Sequence, residues 1–277
     1  MGGGPPDGMS VCGTRRTGDQ QGVPPIRLAL FLCILAARTA AAPFGPGELL
    51  VFDLKWQFVR GGVATMSIHP VPGDTSLWQI RTRARSVGVL DVFYTVRDTL
   101  SSTIRRSTLL PVRYEKLQHE GWYHRDSTYV FDQDRNTVAR FSRGRHVGVL
   151  SLPGEVHDIL SSLYRVRSSP LSVGSHVSVR VYEGGKLYNA RVNVLRREQV
   201  TVPAGTFSCV VVEPILQSEA IFVQRGRLWI WLTDDARRLP VLMESAIPVG
   251  TIRAELVSFL PTSGTSGSGT SASGSSP

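Results

Sequence analysis

The chain has 277 residues, of which 42% are hydrophobic and 19% charged, and its formal net charge is +9. This length suits one large domain or two small ones, and the hydrophobic fraction excludes a largely disordered chain. Because the chain has only three cysteines, a disulfide scaffold is excluded as well. The raised Gly and Pro contents and the short runs of Val and Thr favour β structure.

Residues 1–41 have the pattern of a secretory signal. Several arginines precede the ten-residue apolar run Leu28–Ala37, and small residues follow it. A run this short cannot span a bilayer as a helix, which needs about 20 residues. The pattern predicts export to the periplasm, cleavage near Ala41 and a product that is not integral to the membrane, with translation starting at Met1 or Met9. The alternative is that the run stays on the chain as an anchor.

Residues 261–277 are a low-complexity stretch of Ser, Gly and Thr that cannot bury a core, so we expect a disordered tail. The sequence between the two ends predicts a single β-rich domain over residues 43–260. Once residues 1–41 are removed, Cys209 is the sole remaining cysteine. It lies in an apolar, strand-like run, which predicts a buried and unreactive thiol.

Apolar and polar residues alternate along most of this domain, which predicts about twelve antiparallel strands with one face on the core. The predicted strands cover residues 48–59, 63–69, 76–85, 94–106, 110–119, 122–132, 137–143, 176–182, 186–195, 206–216, 220–233, 239–247 and 250–259. In the first strand, one face would carry Leu50, Phe52, Leu54, Trp56 and Phe58. The first turn is expected at Arg60-Gly61-Gly62.

One helix is predicted over residues 155–167, where apolar side chains recur at helical spacing, and a shorter helical piece is predicted at residues 88–93. The longer helix can cover only a few strands, so the other apolar faces must meet each other. The expected fold is therefore mainly β, with one main α-helix. It consists of a large curved antiparallel sheet, arranged as a half-barrel or a two-lobed sandwich.

Short stretches of Gly, Pro, aromatic and acidic residues are distributed over about residues 46–258. They are Gly47-Glu48, Gly61-Gly62, Pro111, Phe131-Asp132, Asp158, Ser161, Val173-Gly174, Pro203-Ala204-Gly205-Thr206-Phe207, Ile230-Trp231-Leu232-Thr233-Asp234, Arg238-Leu239-Pro240 and Gly250. In these stretches the chain resembles an uncharacterised bacterial family, domain of unknown function 3108 (DUF3108). The resemblance implies an exported protein without an established activity, so it carries over no functional residues.

The C-terminal half also resembles the LolA/LolB lipoprotein-carrier group. In that group a strand ending in W-L-T-D is followed by L-P, as it is in residues 231–234 and 239–240 of this chain. This second resemblance implies a curved sheet that is wrapped around an apolar cavity.

The sequence contains no phosphate-binding glycine loop and no G-x-S-x-G nucleophile motif. His157 and Asp158, together with Ser161, have the residue types of a catalytic triad. Asp158 is adjacent to His157, however, so its side chain would point elsewhere on a helix, and near the N-terminus it would complement the helix dipole. No catalytic residue is predicted, and we do not expect an enzyme.

His119, Glu120, His124 and Asp126 flank a predicted hairpin turn. Their spacing matches no standard zinc pattern, and as strand residues His119 and His124 are expected on opposite faces. The cluster is interpreted as a solvated hairpin end, and we predict neither a metal nor a cofactor.

Asp98 falls on the apolar face of its predicted strand, with Leu100 and Ile104. A buried carboxylate needs a partner, and Arg97 lies on the opposite face, so the partner must come from another element. A structural ion pair or hydrogen bond is the main interpretation, and a functional acid is the alternative.

Arg81, Arg83 and Arg85 form a stripe on one face of the predicted strand 76–85, and the next predicted strand, 94–106, adds Arg97, Arg105 and Arg106. They are interpreted as a solvated face, and contact with an anionic lipid or glycan is the alternative. No aromatic platform alternates with these arginines, so we do not expect a nucleic-acid partner.

Aromatic side chains are frequent on the predicted inner faces, and large rings on a strongly curved sheet favour a cavity for an apolar chain. The candidate ligand-binding residues are Phe52, Trp56, Phe58, Trp78, Trp229 and Trp231. A fully packed core is the alternative. The hypothesis is an exported cell-envelope protein that binds or carries an apolar, lipid-like ligand. The alternative function is an envelope assembly factor that binds a protein partner.

Overall fold

The computed structural model describes Met1 and residues 43–217, 226–248 and 250–262. Apart from Met1, the predicted secretory signal lies outside these residues, and so does the tail from residue 263 onward. Within the described ranges, neither helix combines the length and the hydropathy needed to cross a bilayer.

The described residues form one antiparallel sheet of 14 strands. The strands are β1 (Leu49–Trp56), β2 (Val59–Val71), β3 (Asp74–Ser86), β4 (Arg97–Arg105), β5 (Pro111–Glu120), β6 (Tyr123–Asp132), β7 (Thr137–Ser142), β8 (Arg145–Ser151), β9 (His176–Glu183), β10 (Lys186–Val202), β11 (Gly205–Gln217), β12 (Arg227–Thr233), β13 (Pro240–Ile247) and β14 (Gly250–Leu260). Helix α1 (Val89–Phe93) connects β3 to β4, and α2 (Ile159–Arg167) connects β8 to β9. The predicted fold class is thereby confirmed.

The order across the sheet runs from β8 to β1 and then from β14 to β9, so two meanders are joined where β1 pairs with β14. The sheet is not closed, and its edges are β8 and β9. It is strongly curved, because β5 and β6 contact β9 through side chains alone. Lys116 forms an ion pair with Glu183, and the rings of Tyr129 and Tyr182 lie 5.5 Å apart. Helix α2 packs against β9 and β4 within this curve.

The first turn lies at Gln57-Phe58 rather than at the predicted glycines, so β2 begins at Val59 and Phe58 belongs to no strand. Gln57 makes this turn with a φ of 57°. Gly62 lies inside β2 instead, where an added Cβ would approach the carbonyl oxygen of Arg85 to 2.8 Å. This glycine therefore serves the close approach of two strands and not a turn.

Strand β10 extends to Val202, seven residues beyond the predicted end, and two further differences concern β8 and α2. Strand β8 was missed, because Val149 and Leu150 are adjacent and the segment has no buried face that would leave an alternating pattern. Helix α2 begins at Ile159 rather than at residue 155, because Asp158 is its N-cap. The Asp158 carboxylate accepts a hydrogen bond from the Ser161 N–H (2.9 Å), and the Ser161 hydroxyl accepts one from the Asp158 N–H (3.0 Å). This capping box fixes the start of the helix.

Strand β11 is buried on both faces. Cys209 and Val211 belong to the larger apolar cluster of the core, whereas Val210 and Val212 belong to a smaller cluster that includes Val166 of α2. The predicted burial of Cys209 is confirmed. Burial raises the pKa of its thiol to about 11, which disfavours the reactive thiolate.

The end of the sheet at which β1 begins is filled by a buried cluster, which we call the closed end and define as Phe44, Glu48, Trp78, Tyr164 and Arg167. The Arg167 guanidinium donates to both carboxylate oxygens of Glu48, at 2.7 Å each. It also lies over the rings of Phe44 and Tyr164, 4.7 and 4.8 Å from their centroids. Each buried charge is therefore compensated by the other.

Candidate ligand-binding site at the open end of the sheet

The opposite end of the sheet carries the connections β1–β2, β3–β4, β5–β6 and β13–β14, and we call it the open end. Backbone hydrogen bonds join these connections to their neighbours. The N–H of Gln57 donates to the carbonyl oxygen of Thr251 (2.7 Å), that of Val87 to Gly61 (2.9 Å) and that of Gly121 to Thr95 (2.8 Å). The ring of Tyr94 also packs against Gly121, where an added Cβ would meet it at 3.0 Å. The connections β1–β2, β3–β4 and β5–β6 and the start of β14 therefore lie side by side at this end.

Large apolar side chains are exposed along this surface. The exposed fraction is 93% for Phe58, 82% for Val92, 81% for Phe93 and 100% for Trp122. We call the whole set the apolar rim and define it as Trp56, Phe58, Val59, Val89, Val92, Phe93, Tyr94, Trp122, Tyr123 and Ile252. A contiguous apolar patch of this kind on a folded protein marks an interaction surface.

An open groove of about 200 Å³ lies within the rim, and we call it the apolar groove. Its lining consists of Leu54, Trp56, Tyr94, Val96 and Ile252 with Gly61 and Gly62, together with the polar residues Lys55, Arg85 and Ser86. Pockets that enclose a drug-sized ligand measure about 300–1,000 Å³. The apolar groove is therefore suited to hold one end of an apolar chain rather than a whole ligand.

A second groove, of about 380 Å³, lies beside the first, and we call it the basic groove. Its lining consists of Val63, Thr65, Arg83, Ala84, Arg85, Arg97, Asp98 and Thr99. Arg97 is paired with Asp91 at 2.7 Å, whereas Arg83 and Arg85 form no salt bridge with any described residue. Arg85 lines both grooves. The lining thus holds three arginines against the single carboxylate of Asp98, so the groove beside the apolar rim is suited to an anion.

The structure places two of the six predicted ligand-binding residues at the open end. Trp56 lines the apolar groove, and Phe58 protrudes from the β1–β2 turn as part of the rim. The other four lie elsewhere. Phe52 is buried in the core and Trp78 in the closed end, whereas Trp229 packs under Arg227 and Trp231 donates to Glu198. The six residues therefore line no common cavity in the described part of the chain.

The comparisons with known proteins agree with this architecture. A family model described as "Protein of unknown function (DUF3108)" matches residues 51–257. The chain belongs to this family. A search of curated proteins finds no match.

Among solved structures, the DUF3108 chain is similar to a beta-barrel-like protein of domain of unknown function DUF1849 from Brucella abortus. The identity is 8%, the TM-score is 0.57, and the match covers 79% of this chain and 98% of that one. A protein with a YmcC-like fold from Bacteroides fragilis matches with 10% identity and a TM-score of 0.34, over 79% of this chain and 97% of that one. At such identities, the similarity to the Brucella protein concerns the fold alone.

The sequence predicted that the carboxylate of Asp98 finds a hydrogen-bonding or charged partner on another element, and the DUF3108 domain provides one. The Asp98 carboxylate accepts a hydrogen bond from the backbone N–H of His119 on β5, at 3.0 Å. Burial and the neighbouring Asp98 raise the pKa of Glu120, at the end of the same strand. The interaction ties β4 to β5 just below the β5–β6 connection of the open end.

The prediction that His119 and His124 lie on opposite faces is wrong. They are directly opposed in the β5–β6 hairpin, and their rings lie 4.8 Å apart. The turn contains two residues, so positions that are five apart in sequence become cross-strand partners on one face. Among the described residues, however, no group of three or more His, Cys, Asp and Glu side chains is arranged to hold a metal ion.

His157, Asp158 and Ser161 are close together but serve the helix cap. The Asp158 carboxylate accepts hydrogen bonds from the hydroxyl of Ser102 (2.5 Å) and from the N–H of Ser161 (2.9 Å), so it does not orient His157. Burial raises the pKa of Asp158 to about 6, and burial lowers that of His157 to about 4. The arrangement lacks the carboxylate–imidazole contact of a catalytic triad.

A polar cluster inside the curve of the sheet was not predicted. Around the Lys116–Glu183 ion pair, the hydroxyl of Tyr114 and one oxygen of Glu183 are buried without a hydrogen-bond partner among the described residues. Burial, followed by the charge of Glu183, raises the pKa of Tyr114. No local pattern could reveal this cluster, because its members come from strands that are distant in sequence.

Most of the apolar rim was not predicted either, although a signal was present. Trp122 directly follows a turn glycine, and Phe58 is the second residue of a two-residue turn. Turn positions normally carry small or polar residues, so an aromatic side chain at a turn indicates an exposed contact surface.

Proposed function

We propose that this protein is an exported cell-envelope protein that binds or carries an apolar, lipid-like ligand and catalyses no reaction. The observation that carries the proposal is the apolar groove inside a rim of exposed aromatic side chains. Apolar surface in water is unfavourable, and an apolar ligand that covers it removes this cost. The apolar run Leu28–Ala37, with basic residues before it and small residues after it, supports export to the periplasm.

The grooves also indicate the chemistry of the ligand. Trp56, Tyr94 and Ile252 offer apolar contact to one end of a chain. Arg85, which lines both grooves and has no salt bridge among the described residues, lies where the chain would leave the apolar groove. An amphipathic ligand, with an acyl chain and a carboxylate or phosphate group, would match both features.

Titration of the full-length protein with a fluorescent fatty acid tests the proposal. Trp56→Ala removes part of the groove lining and should weaken binding about tenfold, because burial of a large aromatic ring contributes at least that factor. Trp229→Ala is the matched control, because this half-buried tryptophan lies outside both grooves. Its affinity for the probe should stay unchanged.

Two results would reject ligand binding in the apolar groove. One is the absence of saturable binding by the correctly folded protein. The other is saturable binding that Trp56→Ala leaves unchanged. A stable complex with a single envelope protein, lost when Trp122 is replaced by Ser, would then favour an envelope assembly factor, since the same exposed aromatics fit a protein partner.

A further inference from the structure

We propose that the open end docks on a lipid bilayer that contains anionic lipids, with the apolar rim among the headgroups and the basic groove against lipid phosphates. The proposal goes beyond binding of a ligand, and it holds whether or not the apolar groove is occupied.

The first support is the position of the most exposed apolar side chains. Phe58 lies in the β1–β2 turn, Val92 and Phe93 in the β3–β4 connection, and Trp122 in the β5–β6 turn. Three separate connections therefore present apolar tips at one end of the sheet. Aromatic side chains are preferred at the boundary between lipid headgroups and acyl chains, so such tips suit shallow insertion.

The second support is the charge beside these tips. Arg83 and Arg85 are exposed and form no salt bridge within the described ranges, and the basic groove that they line opens next to the rim. A basic residue near an anionic leaflet adds about fivefold to binding.

The third support is the neutralisation of acidic groups near the rim. Arg60 pairs with Asp53 at 2.7 Å, Arg97 with Asp91 at 2.7 Å, and Lys55 with Glu255 at 2.6 Å. These carboxylates therefore do not repel lipid phosphates. The basic groove is lined by three arginines and one carboxylate, that of Asp98, and its arginines also act on Asp91. Three guanidinium groups therefore face two carboxylates, and the net positive charge makes an anionic lipid surface the complementary occupant.

Vesicle binding by the full-length protein tests the proposal. Phosphatidylcholine vesicles are compared with vesicles that also contain phosphatidylglycerol, and binding is measured by co-sedimentation. We expect tighter binding to the anionic vesicles. The double variant Phe58→Ser with Trp122→Ser should lose at least about tenfold in partitioning. Leu260→Ser is the control, because Leu260 is also exposed but lies at the opposite end of the sheet.

Separate measurements test the contribution of the arginine charge and the depth to which the apolar rim enters the bilayer. Arg85→Gln should weaken binding to anionic vesicles about fivefold. Arg191→Gln, an exposed arginine of β10 that lines neither groove, should not. Lipids brominated in the acyl chains should quench the emission of the rim tryptophans, Trp56 and Trp122, and Trp122→Phe should lose the share that comes from Trp122. This readout distinguishes the rim from the apolar run near the N-terminus, which every variant retains.

The proposal is wrong if the folded protein ignores both kinds of vesicle. It is also wrong if the variants at the open end bind vesicles as the unsubstituted chain does, or if Trp122→Phe leaves the quenched fraction unchanged. Vesicle binding without saturable fatty-acid binding would keep docking and reject the carrier function. Fatty-acid binding without vesicle binding would reject docking on a bilayer and keep the carrier function. Loss of a protein complex on substitution of Trp122, without vesicle binding, would identify the rim as a protein interface.

Discussion

The two ends of the sheet use the same residue types in opposite ways. At the closed end, Phe44, Tyr164 and Arg167 are buried together, and the guanidinium is paired with Glu48. At the open end, aromatic side chains such as Trp122 are exposed, and two exposed arginines, Arg83 and Arg85, form no salt bridge with a described residue. Aromatic and cationic groups stabilise the fold where each satisfies the other, and they remain available for binding where they do not.

Among the substitutions that test the difference between the two ends, we expect the largest loss of stability at the closed end. Arg167→Met leaves the Glu48 carboxylate buried without its partner and should lower the free energy of unfolding by about 3–5 kcal/mol. The double variant Glu48→Gln with Arg167→Met removes both charges and should recover part of that loss. Urea unfolding measures both variants. An Arg167→Met protein as stable as the unsubstituted chain would contradict the assigned role of the ion pair.

The helix that packs against the closed end should show opposing pH effects. Because the pKa of Asp158 is raised by burial to about 6, its contribution to stability is present at low pH and is lost as pH rises from about 4 to 6. Because the pKa of His157 is lowered by burial to about 4, its contribution is present above about pH 6.5 and is lost as pH falls toward 4. The two effects should nearly cancel in the unsubstituted protein.

Asp158→Asn keeps an N-cap residue but removes one of the two titrations. The stability of this variant should rise by about 3 kcal/mol between pH 4 and 6.5, because only His157 then titrates. His157→Gln should show the opposite slope over the same range. Thermal or urea unfolding at several pH values measures both slopes, and parallel profiles for the two variants would refute the assignment.

A smaller effect is expected at the open end, from Gly121→Ala. Gly121 has a φ of 55°, and an added Cβ would meet the ring of Tyr94 at 3.0 Å. The substitution should cost about 2 kcal/mol, from the backbone and from displacement of the ring. Gly144→Ala is the matched control, because Gly144 has a φ of 73° but nothing within 4 Å of an added Cβ. Equal losses for both variants would show that the contact with Tyr94 contributes nothing.

The smallest effect is expected for Phe58→Ser. Because Phe58 is 93% exposed, its loss should change the free energy of unfolding by no more than about 0.5 kcal/mol. The same substitution at Phe44, in the closed end, should cost several kcal/mol because it leaves a cavity. Equal costs, measured by urea unfolding, would remove the difference between the two ends.

The sheet was predictable because one face of most strands meets the core and the other meets solvent, which leaves a period of two in the sequence. Strand β8 lacked this signal: Val147, Val149 and Leu150 are all exposed at the edge of the sheet, and the adjacent Val149 and Leu150 break the alternation. The burial of Cys209 was also predictable, because a strand that is covered on both faces is apolar at every position.

The site was less predictable, since its parts are joined by tertiary structure. The contact of the β1–β2 turn with β14 depends on strand pairing between residues about 200 positions apart, such as Lys55 and Arg253. The Arg167–Glu48 pair joins residues that are 119 positions apart. The sequence contains one local signal of this pair. Leu160, Tyr164 and Arg167 lie on one face of α2, and the apolar members of that face indicate that it meets the core.

The pairing of β1 with β14 also has a consequence for folding. Leu49 is opposite Leu260, so nearly the whole domain must be synthesised before β1 acquires its second neighbour. Until then β1 is the edge of an eight-strand meander and exposes unpaired backbone groups, which is a hazard for edge-to-edge aggregation. Contacts of such long sequence separation form slowly. We therefore expect chains truncated before β14 to aggregate through β1 rather than remain as a stable half of the sheet.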